Sequence, residues 1–109
     1  MAKYGNKKVA YNGMQFDSIR ERDRYIELSL LQRAGEISDL DTQVKFPLLP
    51  SQMYDGKVVE RPVVYIADFA YKDKAGNTVV EDAKGHRTKD YILKRKMMLY
   101  FYGIRIREV

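Results

Sequence analysis

The segment Val79-Val80-Glu81-Asp82-Ala83-Lys84-Gly85 runs from apolar residues into two adjacent acids and a lysine, a concentration of charge that packing alone does not call for. If it is a strand, its side chains alternate between faces, so Asp82 and Lys84 share one face and Glu81 takes the other. A second acid, Asp68, interrupts the apolar run Tyr65-Ile66-Ala67-Asp68-Phe69-Ala70, where an unpartnered carboxylate is costly to bury. Asp68 and Asp82 are equidistant from a turn centred near residue 75, so an antiparallel hairpin places them opposite one another. Two carboxylates that close repel, and a divalent cation neutralises them. Oxygen ligands suit Mg²⁺, with Mn²⁺ as its substitute, and Mg²⁺ keeps open positions for a phosphate oxygen and a water. Lys84 beside them would orient that water or stabilise charge on the phosphate, which is the chemistry of metal-assisted phosphodiester hydrolysis. The competing expectation is structural, with Asp68 and Asp82 salt-bridged to Lys84 or an arginine.

One further residue joins this set. Glu21 lies four and seven residues before Tyr25 and Leu28, on the stripe of a first helix expected to pack on the sheet. It is a candidate third acid. Ser18-Ile19-Arg20-Glu21 is also a capping box, in which Glu21 reaches back to the N-cap backbone, and the two roles are compatible. Glu27 falls among Arg20, Asp23 and Arg24 on what the pattern makes the polar side.

The elements that must hold these residues follow from pattern and punctuation. Asn12-Gly13 between short apolar runs predicts an N-terminal hairpin. Residues 19–34 form an amphipathic helix, with Asp17 or Ser18 as N-cap, Leu28 and Leu31 on the apolar stripe and Gly35 as stop. Residues 44–49 read as a strand, 50–56 as a loop with Val58-Val59 weakly extending it, and 62–71 and 77–83 as an antiparallel pair. Residues 88–102 form a second helix, with Leu93, Met97, Tyr100 and Phe101 as its core stripe, and 104–109 a last strand. The prediction is one α/β domain over 1–109, an αβββαβ core with a mixed central sheet flanked by helices and an N-terminal β-hairpin.

Composition narrows the functions. The 109 residues carry 20 Lys and Arg against 15 Asp and Glu, a net charge of +5, which favours a polyanionic partner. Between Lys84 and Arg107 eight bases face one acid, Asp90, with Tyr91, Tyr100 and Tyr102 interleaved. Arg87, Lys89, Lys94 and Lys96 are the candidate DNA contacts, Lys94 first because it faces away from the Leu93 and Met97 stripe. Without cysteine, disulfides, thiolate nucleophiles and zinc fingers are excluded, and one histidine cannot supply a multi-histidine metal site. No apolar stretch approaches a membrane span and no leader precedes the domain, so the expected location is the cytoplasm.

An acid on a helix, Asp on one strand and Asp-x-Lys on the next resembles the PD-(D/E)XK nuclease superfamily, whose core order is αβββαβ; Ala67 stands where the superfamily's name has Pro. More closely, the stretches Gly13 to Ser18, Ala34-Gly35-Glu36-Ile37, Gln43, Ala67-Asp68-Phe69, Glu81 to Gly85, Thr88, Tyr91, Lys94 and Ile104 to Val109 resemble a small family of phage-encoded endonucleases. That family is similar to Holliday-junction resolvases of the RecU type. The resemblance implies a Mg²⁺-dependent cut of DNA, with Asp68, Asp82 and Glu21 as metal ligands and Lys84 as the water-positioning residue. Gln43 and Glu81 would support the site. It further implies a homodimer acting on branched DNA in phage replication or recombination, within the host cytoplasm. The alternative from another class is a non-catalytic nucleic-acid-binding module.

Overall fold

A computed structural model describes residues 8–84 and 86–109; the basic start of the chain and Gly85 of the strand-end motif lie outside it. The N-terminal hairpin forms as expected, β1 (Val9–Tyr11) pairing antiparallel with β2 (Met14–Phe16). Asn12 (φ 52°) and Gly13 (φ 80°) take the left-handed conformations that match a two-residue turn to the twist of its strands. Helix α1 (Ile19–Arg33) starts at Ser18, whose hydroxyl accepts from the Glu21 N–H at 3.1 Å. Leu28 is fully buried and Tyr25 packs beside it, whereas Leu31, expected in the same stripe, is exposed in the last turn.

The central sheet has the order β3 (Ser38–Leu49), β6 (Val63–Lys72), β7 (Thr78–Asp82), β8 (Arg107–Glu108). Strand β3 is twice the length that its apolar stretch suggests, because its first half, rich in acids and amides, pairs with the end of β6. Strand β7 pairs antiparallel with β6 in the register Phe69 to Glu81 and Lys72 to Thr78, the register that centres the hairpin on residue 75. Helix α2 (Lys89–Tyr102), capped by Thr88 and by Gly103 at φ 67°, crosses back so that β8 runs parallel to β7. The expected strand over 104–109 shrinks to those two residues. The core is thus α1-β3-β6-β7-α2-β8, a mixed sheet flanked by two helices, as in restriction endonucleases.

Inserted between β3 and β6 is a second hairpin, β4 (Gln52–Tyr54) with β5 (Lys57–Glu60), where a loop was expected. Asp55-Gly56, both at positive φ, makes its turn. All seven of its strand residues are exposed, and it pairs with no strand of the central sheet.

Two clusters make the core, one under each helix. Leu28, Phe69 and Tyr71 gather under α1; Leu48, Tyr65, Ala67, Val80, Tyr91, Met98 and Ile106 gather under α2. Val79 packs on the first and its neighbour Val80 belongs to the second, so the helices cover opposite faces. Strand alternation then breaks at one place. On β6 Tyr65 and Ala67 face α2, yet Phe69 and Tyr71, of the same parity, face α1. On β3 Leu40 faces α1 while Phe46 and Leu48 face α2. Both strands reverse together between the pairs Thr42 with Phe69 and Val44 with Ala67, where Gln43 sits at φ 52° opposite Asp68.

Helix α2 docks on a different line from the one its apolar pattern suggests. Tyr91 and Met98, seven apart, are buried and Met97 of the expected stripe packs against the same core, while Leu93, Tyr100 and Phe101 face outward. The helix carries apolar residues on more than one side. The docking line is set by Tyr91, which packs at 6.4 Å on Tyr65 and donates its hydroxyl to Glu108.

Candidate active site

The reversal of β3 and β6 turns three acids into one locality. Asp68 lies on β6 at the break, and its backbone N–H donates to Asp82 Oδ1 at 3.1 Å across the ladder. Asp68 Oδ2 accepts from the Ala83 N–H at 2.9 Å. Gln43, held in the left-handed conformation, donates its side-chain amide to Glu21 Oε2 at 3.1 Å and reaches Asp68 Oδ1 at 3.5 Å. One amide therefore bridges the helix acid and the strand acid. Glu21 is buried in the first turn of α1 and its Oε1 also accepts from the Asp17 N–H at 3.2 Å, one residue before the N-cap it was expected to reach. Glu21 thus ties down the backbone just ahead of the N-cap and, through Gln43, lies beside the strand acid.

Asp82 is buried and fully engaged. Tyr65 donates its hydroxyl to Oδ2, the same oxygen that stands 3.6 Å from Lys84 Nζ. Asp82 and Lys84 thus share a face, as alternation requires. The ammonium of Lys84 also sits 4.4 Å above the Tyr91 ring, a cation–π contact that holds it over the acids. The two ends of Asp82-Ala83-Lys84 are stapled to the last strand: Val109 N–H donates to the Asp82 carbonyl at 2.9 Å and Lys84 N–H to the Val109 carbonyl at 3.3 Å.

Electrostatics mark Asp68 as the strained member. Burial, then the neighbouring Asp82 and Glu21 charges, push its carboxyl up to about 8, against one lowering contact from the Ala83 N–H. Burial also raises Glu21, opposed by the Asp17 N–H. Burial and the bond to Asp82 raise the Tyr65 hydroxyl, keeping it a donor at any ordinary pH. Asp68 and Asp82 could hold a hard cation: their donors are all oxygen, and the crowding of acids that raises Asp68 is of the kind a divalent ion relieves. Among the described residues no three acidic, histidine or cysteine side chains are grouped closely enough to hold a metal, and Mg²⁺ itself needs only one or two carboxylates beside its waters.

Glu81, a candidate supporting residue, is not in this group. It points to the α1 face, where Arg24 grips it with two bonds of 2.7 Å, Tyr71 donates its hydroxyl and Arg107 stands at 3.6 Å. Arg24 is thereby moved from the polar side of α1 to a partly buried ion pair. The candidate DNA contacts divide in two. Arg87 is paired with Glu108 at 2.6 Å and Lys94 with Asp90 at 3.3 Å, whereas Lys89 and Lys96 are exposed. Glu108, just past the basic run, takes Arg87, Arg95 and Tyr91 together, and the Arg87 guanidinium above all holds its carboxyl down at about 2. Sequence reasoning missed Tyr65 and Glu108 and the place of Tyr91 beneath Lys84; the signal was tyrosines at 65, 71 and 91 within apolar stretches, whose hydroxyls need partners once their rings are buried.

Compared with known families, residues 1–107 match the model described as "Protein of unknown function (DUF1064)". The chain belongs to the DUF1064 family. No curated protein and no solved structure shows significant similarity to it. Within DUF1064, then, the fold and the acid-lysine locality of this member are what bear on activity, and they are consistent with a nuclease-like domain.

Proposed function

We propose that this protein is a metal-dependent DNA endonuclease of PD-(D/E)XK type, selective for branched DNA, that acts as a homodimer. The observation that carries this reading is the convergence of Glu21, Asp68, Asp82 and Lys84 at the one place where β3 and β6 reverse, with Asp68 pushed up to about 8 by burial and its acidic neighbours.

In this reading Asp68 and Asp82 hold the cation, Mg²⁺ or Mn²⁺, and Glu21 holds the same side of the site through Gln43. The bound ion would supply Lewis-acid stabilisation of the charge that develops on the scissile phosphate. Lys84, fixed between Asp82 and the face of Tyr91, orients a water by hydrogen bonding and offers positive charge to the phosphate. Tyr65 keeps the Asp82 carboxylate from rotating. The net charge of +5 supports a nucleic-acid substrate.

The test is cleavage of a labelled four-way junction, with linear duplex and single strand of the same sequence, under Mg²⁺, Mn²⁺ and EDTA. Wild type is expected to cut the junction only with metal, and Asp82→Ala or Lys84→Ala to bind it without cutting. Cutting of all three substrates would remove the junction selectivity and keep the nuclease. Binding without cutting under any metal would make the protein a binding module.

A further inference from the structure

A groove of about 640 Å³ opens between the outer side of α2 and β8, lined by Arg95, Lys96, Leu99, Arg105, Ile106 and Glu108. Three of its six residues are cationic. Arg95 is neutralised by Glu108 at 3.0 Å, but neither Lys96 nor Arg105 has an ion-pair partner among the described residues, and both are exposed. Two uncompensated cations on either side of one groove form an anion site. The apolar part, buried Ile106 and half-exposed Leu99, is aliphatic. Single strands are gripped by stacking on aromatic rings, and this groove has none. Its ligand therefore offers phosphates at its surface with its bases turned away, which describes the backbone of a duplex.

The groove is also placed to continue a path from the acids. Lys84 and Arg95 stand over the same Tyr91 ring, at 4.4 and 5.9 Å, and Arg95 is in turn a wall of the groove. Lys84, just past β7, thus shares the Tyr91 ring with Arg95, and Arg95 shares the groove with Lys96 and Arg105.

We infer that the α2–β8 groove is a second nucleic-acid site, in which Lys96 and Arg105 bind the phosphate backbone of a duplex arm beyond the point of cleavage. The inference rests on the nuclease reading only for what happens at the acids; the groove's affinity is independent of cutting.

The experiment measures binding of a labelled duplex by fluorescence anisotropy in EDTA across a potassium chloride series, for wild type, Lys96→Ala/Arg105→Ala and the charge-keeping Lys96→Arg/Arg105→Lys. Each lost phosphate contact reduces the slope of log K against log salt by about 0.9. The alanine pair is expected to flatten the slope by about 2 and to weaken low-salt binding roughly 10- to 100-fold, with the charge-keeping pair like wild type. Lys96→Gln and Arg105→Gln singly, each flattening the slope by about 1, secure the result if the double variant folds poorly. Equal slopes in wild type and the alanine pair overturn the groove and leave the cutting site untouched. A flattened slope in a protein that never cuts under metal overturns the nuclease and keeps the groove. Displacement of the duplex from wild type by inorganic phosphate at matched ionic strength, or tighter binding of the single strand, overturns the duplex assignment.

Discussion

Asp68 carries a cost that its neighbours do not relieve. Its folded carboxyl titrates near 8 against an ordinary value of 3.8, so between those values the folded state holds more proton than the unfolded chain and stability falls as pH rises. Asp68→Asn removes that charge and keeps an oxygen for the Ala83 N–H. In the metal-free protein the variant is expected to be more stable than wild type by about 2 kcal/mol at pH 8, roughly 8 °C in Tm, with the gain vanishing below about pH 4. Thermal melts across pH check it, and a variant less stable than wild type at pH 8 would remove the idea of an uncompensated acid. Adding Mg²⁺ should raise the wild-type Tm, by about 2.7 kcal/mol equivalent at one hundred times the dissociation constant, and leave Asp68→Asn unmoved. Glu108 has the opposite sign. Its lowered carboxyl contributes stability that is present above about pH 4.5 and lost toward pH 2, so Glu108→Gln is expected to destabilise at neutral pH by about 1 kcal/mol after allowance for solvent screening, and by nothing in strong acid.

At the scale of elements, the pairing of the acids is the part of the site most legible in the sequence. A hairpin centred on residue 75 has one in-phase register, and that register puts Asp68 against Asp82. The first helix and its cap were equally legible, because Ser18 and Glu21 act within one turn. The reversal at Gln43 and Asp68 was not. Buried residues fall at odd positions 65, 67, 69 and 71, so the pattern reads as one uninterrupted face while the backbone turns over in its middle. Arg24 was hidden for a similar reason: its partner, Glu81, arrives from the far end of the chain. Arg24→Met leaves that buried carboxylate with Tyr71 and the half-exposed Arg107 at 3.6 Å, and is expected to destabilise by about 3 kcal/mol in urea unfolding. A loss below about 0.5 kcal/mol would mean that the pair is dispensable. The α2 stripe was misread because two apolar lines compete on that helix, and hydroxyl partners decide between them.

On the whole molecule, the β4-β5 hairpin stands apart from both cores. Leu49 and Val63, which flank it, are themselves paired on β3 and β6, so the sheet does not need the insertion in order to close. Replacing residues 51–60 with Asn-Gly is expected to change stability by less than about 1 kcal/mol, and the hairpin's amides to exchange far faster than those of β6 and β7. A larger loss, or protection equal to the central sheet, would place the hairpin within the cooperative unit. The surface charge follows the same division. Residues 51–60 hold Asp55 and Glu60 against Lys57, whereas α2 and the segment leading into β8 hold Lys89, Lys96 and Arg105, for which the described residues show no ion-pair partner. No helix among the described residues is long and apolar enough to cross a membrane.

The seam where β3 and β6 turn over has a consequence for selection. Asp68 belongs to neither apolar cluster, so replacing it takes no side chain out of the core, and the change also relieves the cost of its burial. Random mutagenesis scored on heat resistance alone should therefore enrich substitutions at Asp68. In the proposed nuclease Asp68 is kept for its use at the site, at a cost to the fold that holds it.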